Sequence, residues 1–300
     1  MQAMILAAGF GTRLRPFSLI RPKPLFPILG RPLLSITIAS LRRTGCATIV
    51  VNAHHLREQI RAAVKTEAGI ILQVEEEILG TGGGLRRALP HFTPEPLLVV
   101  NGDILHDLDL AAIYRRHLAS GCDATLVLHD CPRFNTVLVA ERGLIHGFSK
   151  QAAPPPGLEL LAFTGIHVLN PEILRPIPGS GFYNIIDRYQ ELLARGGRLR
   201  AEVVRDHFWT DMGTVPDYLE LHAGLLQGRV AAGPELAAAA ADRPFQHAPD
   251  VVFGENVRLE EWVSIGAGVR IGDNATLGRV VVWDNAVIPA GAVLHDTIMV

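Results

Sequence analysis

The chain has 300 residues, 48% hydrophobic and 19% charged, enough to bury one large domain and a small one, which excludes disorder as its default state. A formal charge of −2 lacks the basic footprint of a nucleic-acid binder, so anionic ligands must be met by local positive charge. Cys46, Cys122 and Cys131 are odd in number with no C-x-x-C spacing, which excludes a disulfide framework and a zinc site and predicts a reducing, cytoplasmic setting.

The apolar run 4–8 is too short for a secretion signal, and no window approaches a transmembrane helix. It reads instead as the first strand of a layered α/β domain, because short apolar runs at 48–51, 70–74, 97–100 and 124–128 alternate with amphipathic helical spacing. Leu56, Ile60, Ala63 and Val64 show that spacing, as do Ile185, Ile186, Tyr189 and Leu193. Gly45 and Gly196 stand where helices are expected to stop.

Leaving the first strand, Leu6-Ala7-Ala8-Gly9-Phe10-Gly11-Thr12-Arg13-Leu14-Arg15-Pro16 is a glycine-containing loop. Glycines let a ligand approach the backbone, N–H groups bind phosphate oxygens and Arg13 adds a charged fork, so the loop is a candidate phosphate cradle. A turn that needs glycine only for its own geometry is the alternative. The loop is not a Walker motif, since no Gly-Lys-Ser/Thr follows, nor a dinucleotide fingerprint, since Leu14 stands where the third glycine belongs. Lys23 lies in Arg21-Pro22-Lys23-Pro24, whose prolines would restrict its ammonium.

His54 and His55 precede a helix without a partner at metal-ligand spacing and read as structural. Glu75-Glu76-Glu77 leads into Gly80-Thr81-Gly82-Gly83-Gly84, a loop able to set main-chain groups against a flat nucleobase, or a flexible linkage. Asn101-Gly102-Asp103 closes the strand 97–100, placing Asp103 at the carboxyl end of the sheet, where open α/β folds bind ligands. A carboxylate facing a phosphate cradle is a candidate Mg²⁺ ligand, and a turn or helix cap is its other reading. Asp107-Leu108-Asp109 imitates a metal motif but precedes the helical segment 110–118, so capping is expected of it.

Residues 227–250, with Gly228, an alanine run at 237–241, Pro244 and Pro249, read as a connector. Beyond it, small aliphatic residues recur every six positions at Val251, Val257, Val263, Val269, Ala275, Val281, Val287 and Val293. A second series follows two positions behind, from Phe253 through Leu259, Ile265, Ile271 and Leu277 to Trp283. A hexapeptide period of this kind describes a β-helix.

Taken in order, the loop 6–16, Lys23 between prolines, Gly80-Thr81-Gly82-Gly83, Asn101-Gly102-Asp103 and Trp209-Thr210-Asp211-Met212-Gly213-Thr214 resemble the sugar-nucleotide pyrophosphorylase family. The resemblance covers essentially the whole chain. It implies a Rossmann-like nucleotidyltransferase domain with a mixed, mainly parallel sheet at 1–226, a linker at 227–250 and a short left-handed parallel β-helix at 251–300. It implies the reaction of a nucleoside triphosphate with a sugar 1-phosphate. Leu6, Ala7, Ala8, Gly9, Gly11, Thr12, Arg13, Lys23, Gly80, Thr81, Gly82 and Asn101 would then contact the nucleotide, with Arg13, Lys23, Asp103 and Asp211 as the catalytic set. Asp103 and Asp211 would hold Mg²⁺, and Lys150, Gly165 and Asp211 would meet the sugar phosphate. Two positions depart from the family pattern: Phe148-Ser149-Lys150-Gln151 lacks the usual glutamate before lysine, and Arg133-Phe134-Asn135-Thr136 replaces a tyrosine-glycine pair.

The N-terminal part is similar to N-acetylmuramate-1-phosphate uridylyltransferases, the hexapeptide tail to mannose-1-phosphate guanylyltransferases, and heptose-phosphate guanylyltransferases share Leu79-Gly80-Thr81-Gly82-Gly83. A guanylyl or uridylyl donor and a homo-oligomer are expected. A glycosyltransferase would give no reason for the cradle at 9–13, and acyl transfer by the tail would have only His295 to use. A non-catalytic regulatory or scaffold subunit is the remaining alternative, set against an intact catalytic set.

Overall fold

The computed structural model describes residues 1–149, 153–231 and 233–300. In chain order its elements begin β1 (Gln2–Leu6), α1 (Phe17–Ile20), β2 (Pro27–Ile28), β3 (Arg31–Pro32), α2 (Leu33–Arg43), β4 (Thr48–Ala53), α3 (Arg57–Val64), β5 (Ile70–Val74) and α4 (Gly80–Ala88). They continue with β6 (Leu97–Asn101), β7 (Leu105–His106), α5 (Leu110–Ser120), β8 (Ala124–His129), β9 (Asn135–Ala140), β10 (Ile145–Phe148), β11 (Leu158–Leu169), α6 (Ile185–Ala194), β12 (Leu199–Val203), β13 (Trp209–Thr210) and α7 (Val215–Leu226). The last seven are β14 (Phe245–His247), β15 (Val252–Phe253), β16 (Arg258–Ile265), β17 (Arg270–Ile271), β18 (Thr276–Val282), β19 (Val287–Ile288) and β20 (Val293–Met299).

Packing groups the chain into two compact units, residues 1–10 with 41–209 and residues 11–40 with 210–300. The first is built on a nine-stranded mixed sheet in the order β10-β9-β11-β6-β1-β4-β5, with β8 on β11 and β12 on β8. Strands β6, β1, β4 and β5 run parallel, so their carboxyl ends share one edge, and Leu6 lies in register with both Asn52 and Asn101. Met4, Val50, Leu97, Val99, Leu126 and Tyr189 are among the side chains buried in its core. Each such apolar side chain contributes about 1.5–3 kcal/mol on leaving water.

Strand β1 begins and ends two residues earlier than the run 4–8 suggests, because Ala7 gives its N–H to the Asn52 side chain instead of a ladder (2.7 Å). Gly45 and Gly196 adopt φ of 95° and 80° just past α2 and α6, the left-handed stop expected of them. Asp109 caps α5 by accepting the Ala112 N–H, as expected of it, and Asp107 accepts the Phe208 N–H.

The second unit joins residues 11–40 to the C-terminal strands, a grouping that cuts across the sequence division at 226 and 250. Aromatic packing is the cause. Trp283, almost fully buried, meets Phe26 edge-on at 4.7 Å and donates its indole N–H to the Tyr218 hydroxyl, which in turn donates to the Pro27 carbonyl.

Residues 245–299 form two wholly parallel sheets, β14-β16-β18-β20 and β15-β17-β19. The expected connector is shorter than 227–250, since β14 already pairs with β16 and the alanine run makes one 3₁₀ turn, Ala239–Asp242. Partners are 18 residues apart at first (Leu259 with Leu277) and 17 later (Thr276 with Val293). The inward row therefore runs through Val263, Val269 and Ala275 and then slips by one residue to Val280 and Ala286. Val287 and Val293, members of the predicted series, end up 64% and 66% exposed, and Trp283 turns toward Phe26. The slip occurs at Arg279, a corner with φ 55°.

Candidate active site

The glycine loop divides between the two units after Phe10. Its first part lies at the carboxyl end of β1. There Gly9 has open space around the position of a side chain, and Phe10, 44% exposed, sets its ring edge-on against His54 at 5.3 Å. His54 Nδ1 is hydrogen-bonded to the Glu75 carbonyl at 2.9 Å.

Beside this loop end, Gly102 donates its N–H to Leu6 O (2.8 Å), and a Cβ there would lie 2.9 Å from the same oxygen. This close approach brings the half-buried Asp103 to the carboxyl edge of the sheet. Asn101 at the end of β6 packs on Gly165 in β11, whose φ is 82° and whose Cβ would fall 2.4 Å from Asn101 Nδ2. Only glycine admits that contact. Trp209 donates its indole N–H to Thr164 O (2.9 Å), pinning the residue before Gly165, and stands edge-on to His129 at 4.8 Å. Burial first, and the neighbouring His207 second, push the His129 pKa below its usual value.

The run 80–84 is not a loop but the opening of α4. Gly82 and Gly83 both donate their N–H to Tyr183 O (2.9 and 3.1 Å), and a Cβ on Gly82 would stand 2.9 Å from the Tyr183 ring. Glycine is a poor helix former, about 1 kcal/mol worse than alanine, so packing against 181–185 has overridden propensity. Thr81 is likewise engaged, accepting the Ile185 N–H and donating to Asn184 Oδ1. Sequence reasoning missed Asn52 and Glu75, which lie beneath these segments; the signal available was the same-face spacing of Gln73 and Glu75 at the end of a strand.

In the second unit, Gly11 (φ 61°) turns the loop into a short 3₁₀ turn, Thr12–Leu14. Arg13 Nη2 lies 3.5 Å from Asp211 Oδ2, and the other carboxylate oxygen accepts the Gly213 N–H at 3.1 Å. Lys23, only 7% exposed, donates from Nζ to the Asp211 carbonyl at 2.5 Å. A Cβ on Gly213 would strike Asp211 Oδ2 at 2.7 Å and the Arg13 guanidinium at 2.8 Å, so the Asp211-Met212-Gly213 turn is built around this cluster. Met212 holds φ 42° and is fully buried, a left-handed backbone that is costly for a non-glycine residue. The fold thus brings Arg13, Lys23 and Asp211 together, and separately brings Asn101 to Gly165. Lys150 lies outside the described residues.

Residues 2–228 match the family model described as nucleotidyl transferase. A UTP–glucose-1-phosphate uridylyltransferase of Synechocystis sp. is 30% identical over 328 aligned residues, covering all of this chain and 82% of the relative. A mannose-1-phosphate guanylyltransferase of Mycobacterium tuberculosis is 28% identical, covering 98% of this chain and 83% of the relative. Among solved structures, HddC from Yersinia pseudotuberculosis superposes with a TM-score of 0.61 over 73% of this chain and 97% of its own, at 23% identity, a likeness of fold alone. Among the described residues no helix is long and apolar enough to cross a membrane. The chain belongs to the nucleotidyl transferase family.

Proposed function

We propose that this enzyme joins a nucleoside triphosphate to a sugar 1-phosphate and releases pyrophosphate. The observation that carries the reading is the convergence of Arg13, Lys23 and Asp211, three residues of separate motifs, on one turn. A sugar-phosphate oxygen attacks the α-phosphorus in line, the bond to pyrophosphate breaks, and no covalent enzyme intermediate forms. In this scheme the protein positions two anions and spreads their charge. Gly9, Gly11, Thr12 and Arg13 hold the triphosphate, Lys23 neutralises charge near the α-phosphate, and Gly165 faces the sugar side.

Asp103 and Asp211 are the proposed holders of Mg²⁺. Their carboxylates are the hard oxygen donors this ion takes, and two of them would leave room in its shell for water and phosphate oxygens. When bound, it withdraws charge from the phosphate oxygens. The names of the relatives support a guanylyl or uridylyl donor; mannose- or heptose-1-phosphate guanylyltransferase and N-acetylmuramate-1-phosphate uridylyltransferase remain the candidate reactions. We read the C-terminal parallel stack, whose partners stand 18 and then 17 residues apart, as a left-handed β-helix and assembly element of a cytoplasmic homo-oligomer.

Asp103→Asn and Lys23→Ala test the reading. Each is expected to lower turnover at least a hundredfold to a thousandfold, the effect of removing one preorganised electrostatic contact. Near-normal turnover in either variant, with circular dichroism unchanged, overturns it.

A further inference from the structure

A chain of buried hydrogen bonds runs beneath two segments that the proposed function assigns to the nucleotide. Ala7 donates its N–H to Asn52 Oδ1 at 2.7 Å, and Asn52 Nδ2 donates to Glu75 Oε1 at 2.8 Å. The other carboxylate oxygen, Oε2, accepts the N–H of Leu79, the cap residue of α4, at 3.2 Å. Gln73 Nε2 donates to Oε1 at 3.3 Å and to Gly84 O at 3.0 Å. All three side chains are buried, Glu75 completely. Gly84 completes the fit, since a Cβ there would stand 2.9 Å from Asn52 Nδ2 and 3.0 Å from Glu75 Oε1.

Three of these contacts, from Asn52 Nδ2, Gln73 Nε2 and the Leu79 N–H, reach the Glu75 side chain and all three donate to it, so its place in the network is matched to a carboxylate and to no group carrying its own N–H. Burying a carboxylate is costly, and an apolar pair of similar volume would hold two segments together at least as well. What directional bonds add is a fixed spacing. We propose that Asn52 and Glu75 are positioning residues for the nucleoside triphosphate, setting the main chain at 7–9 against the start of α4. The proposal rests on the reading of those segments as nucleotide-binding.

Glu75→Gln puts an amide N–H where neighbours already donate. Its affinity for the triphosphate, measured by titration calorimetry without sugar phosphate, is expected to fall roughly ten- to a hundredfold, as expected for loss of a buried bond to a charged group. KM for the triphosphate should rise in step while KM for the sugar phosphate stays within about twofold. The double variant Asn52→Asp, Glu75→Gln reverses the polarity. Residue 52 then accepts from both Ala7 and the new amide, whose oxygen accepts from Leu79. Gln73, whose Oε1 has no partner among the described residues, can turn to accept the remaining hydrogen. The double variant is expected to recover most of the affinity.

A purely structural role would lower the denaturation midpoint of Glu75→Gln without this selective loss or its rescue, and that result overturns the proposal. If Glu75→Gln does not fold, Asn52→Ala breaks the same chain at its other link and is read in the same way. Failure of the unmodified enzyme to bind any triphosphate would defeat the assigned function itself, whereas normal binding by both wild type and Glu75→Gln defeats only the bridge.

Discussion

Gly82→Ala sets two effects of known size against each other. Alanine is a better helix former than glycine by about 1 kcal/mol in a helix interior, and less in the first turn, where Gly82 lies. Against that gain, the added Cβ would lie 2.9 Å from the Tyr183 ring and 3.1 Å from the backbone at Asn184 and Ile185. The ring can tilt, but the backbone cannot withdraw freely, because the N–H groups of Gly82 and Gly83 are bonded to Tyr183 O. Relief of the overlap costs about 1–3 kcal/mol, whether as strain or as weakened hydrogen bonds. The net effect is a loss of about 1–2 kcal/mol, or a midpoint about 2–3 °C lower for a chain of 300 residues. Chemical and thermal denaturation measure it, and hydrogen exchange should show faster opening at 80–84 and 182–185. A variant more stable than wild type by the helix-propensity gain would refute the packing role.

Gly9→Ala makes the opposite contrast: nothing lies within 4 Å of its Cβ, so stability should stay within about 0.5 kcal/mol while the methyl group intrudes on the phosphate site and weakens triphosphate binding. Unchanged binding in calorimetry would remove Gly9 from the cradle. Chelation by EDTA should abolish nucleotide-sugar formation and added Mg²⁺ should restore it, whereas full activity after chelation would contradict the metal proposal. His222 is fully buried with both nitrogens used, Nδ1 on Tyr218 O and Nε2 facing the Leu29 N–H, and burial lowers its pKa to about 4. As pH falls from about 6.5 to about 4 the unfolded chain takes up a proton that folded His222 refuses, so stability drops by up to about 3 kcal/mol. His222→Gln should shed one proton's worth of that slope in denaturation curves, and an unaltered slope would exclude the residue. Light scattering should find a homo-oligomer; a monomer alone would dispose of that proposal.

Much of the first unit was legible because strand and helix periods at 48–51, 70–74, 97–100 and 124–128 agree with where those strands fall. Arg13 and Lys23 were noted through residue chemistry and Asp211 through the family resemblance, and the structure supplies their convergence. Gly80 to Gly84 misled because glycine's low helix propensity reads as a loop, while the collision that demands glycine comes from residues a hundred positions away. Val263, Val269 and Ala275 of the six-residue series are buried, but beyond Arg279 strand partners stand 17 residues apart instead of 18; a strict period cannot reveal a slip that leaves valine on both faces. Asn52 went unseen and Glu75 was read only as the lead into 80–84, because their bridge is made by three-dimensional hydrogen bonding and not by any local pattern.

The most direct test of nucleotidyl transfer is incubation of the purified enzyme with Mg²⁺ and each of four nucleoside triphosphates against a panel of sugar 1-phosphates. Pyrophosphate is followed and products are identified by mass. A nucleotide sugar with matching pyrophosphate, from a guanylyl or uridylyl donor, is the expected result. Folded enzyme that yields neither product across the whole panel would contradict the assignment.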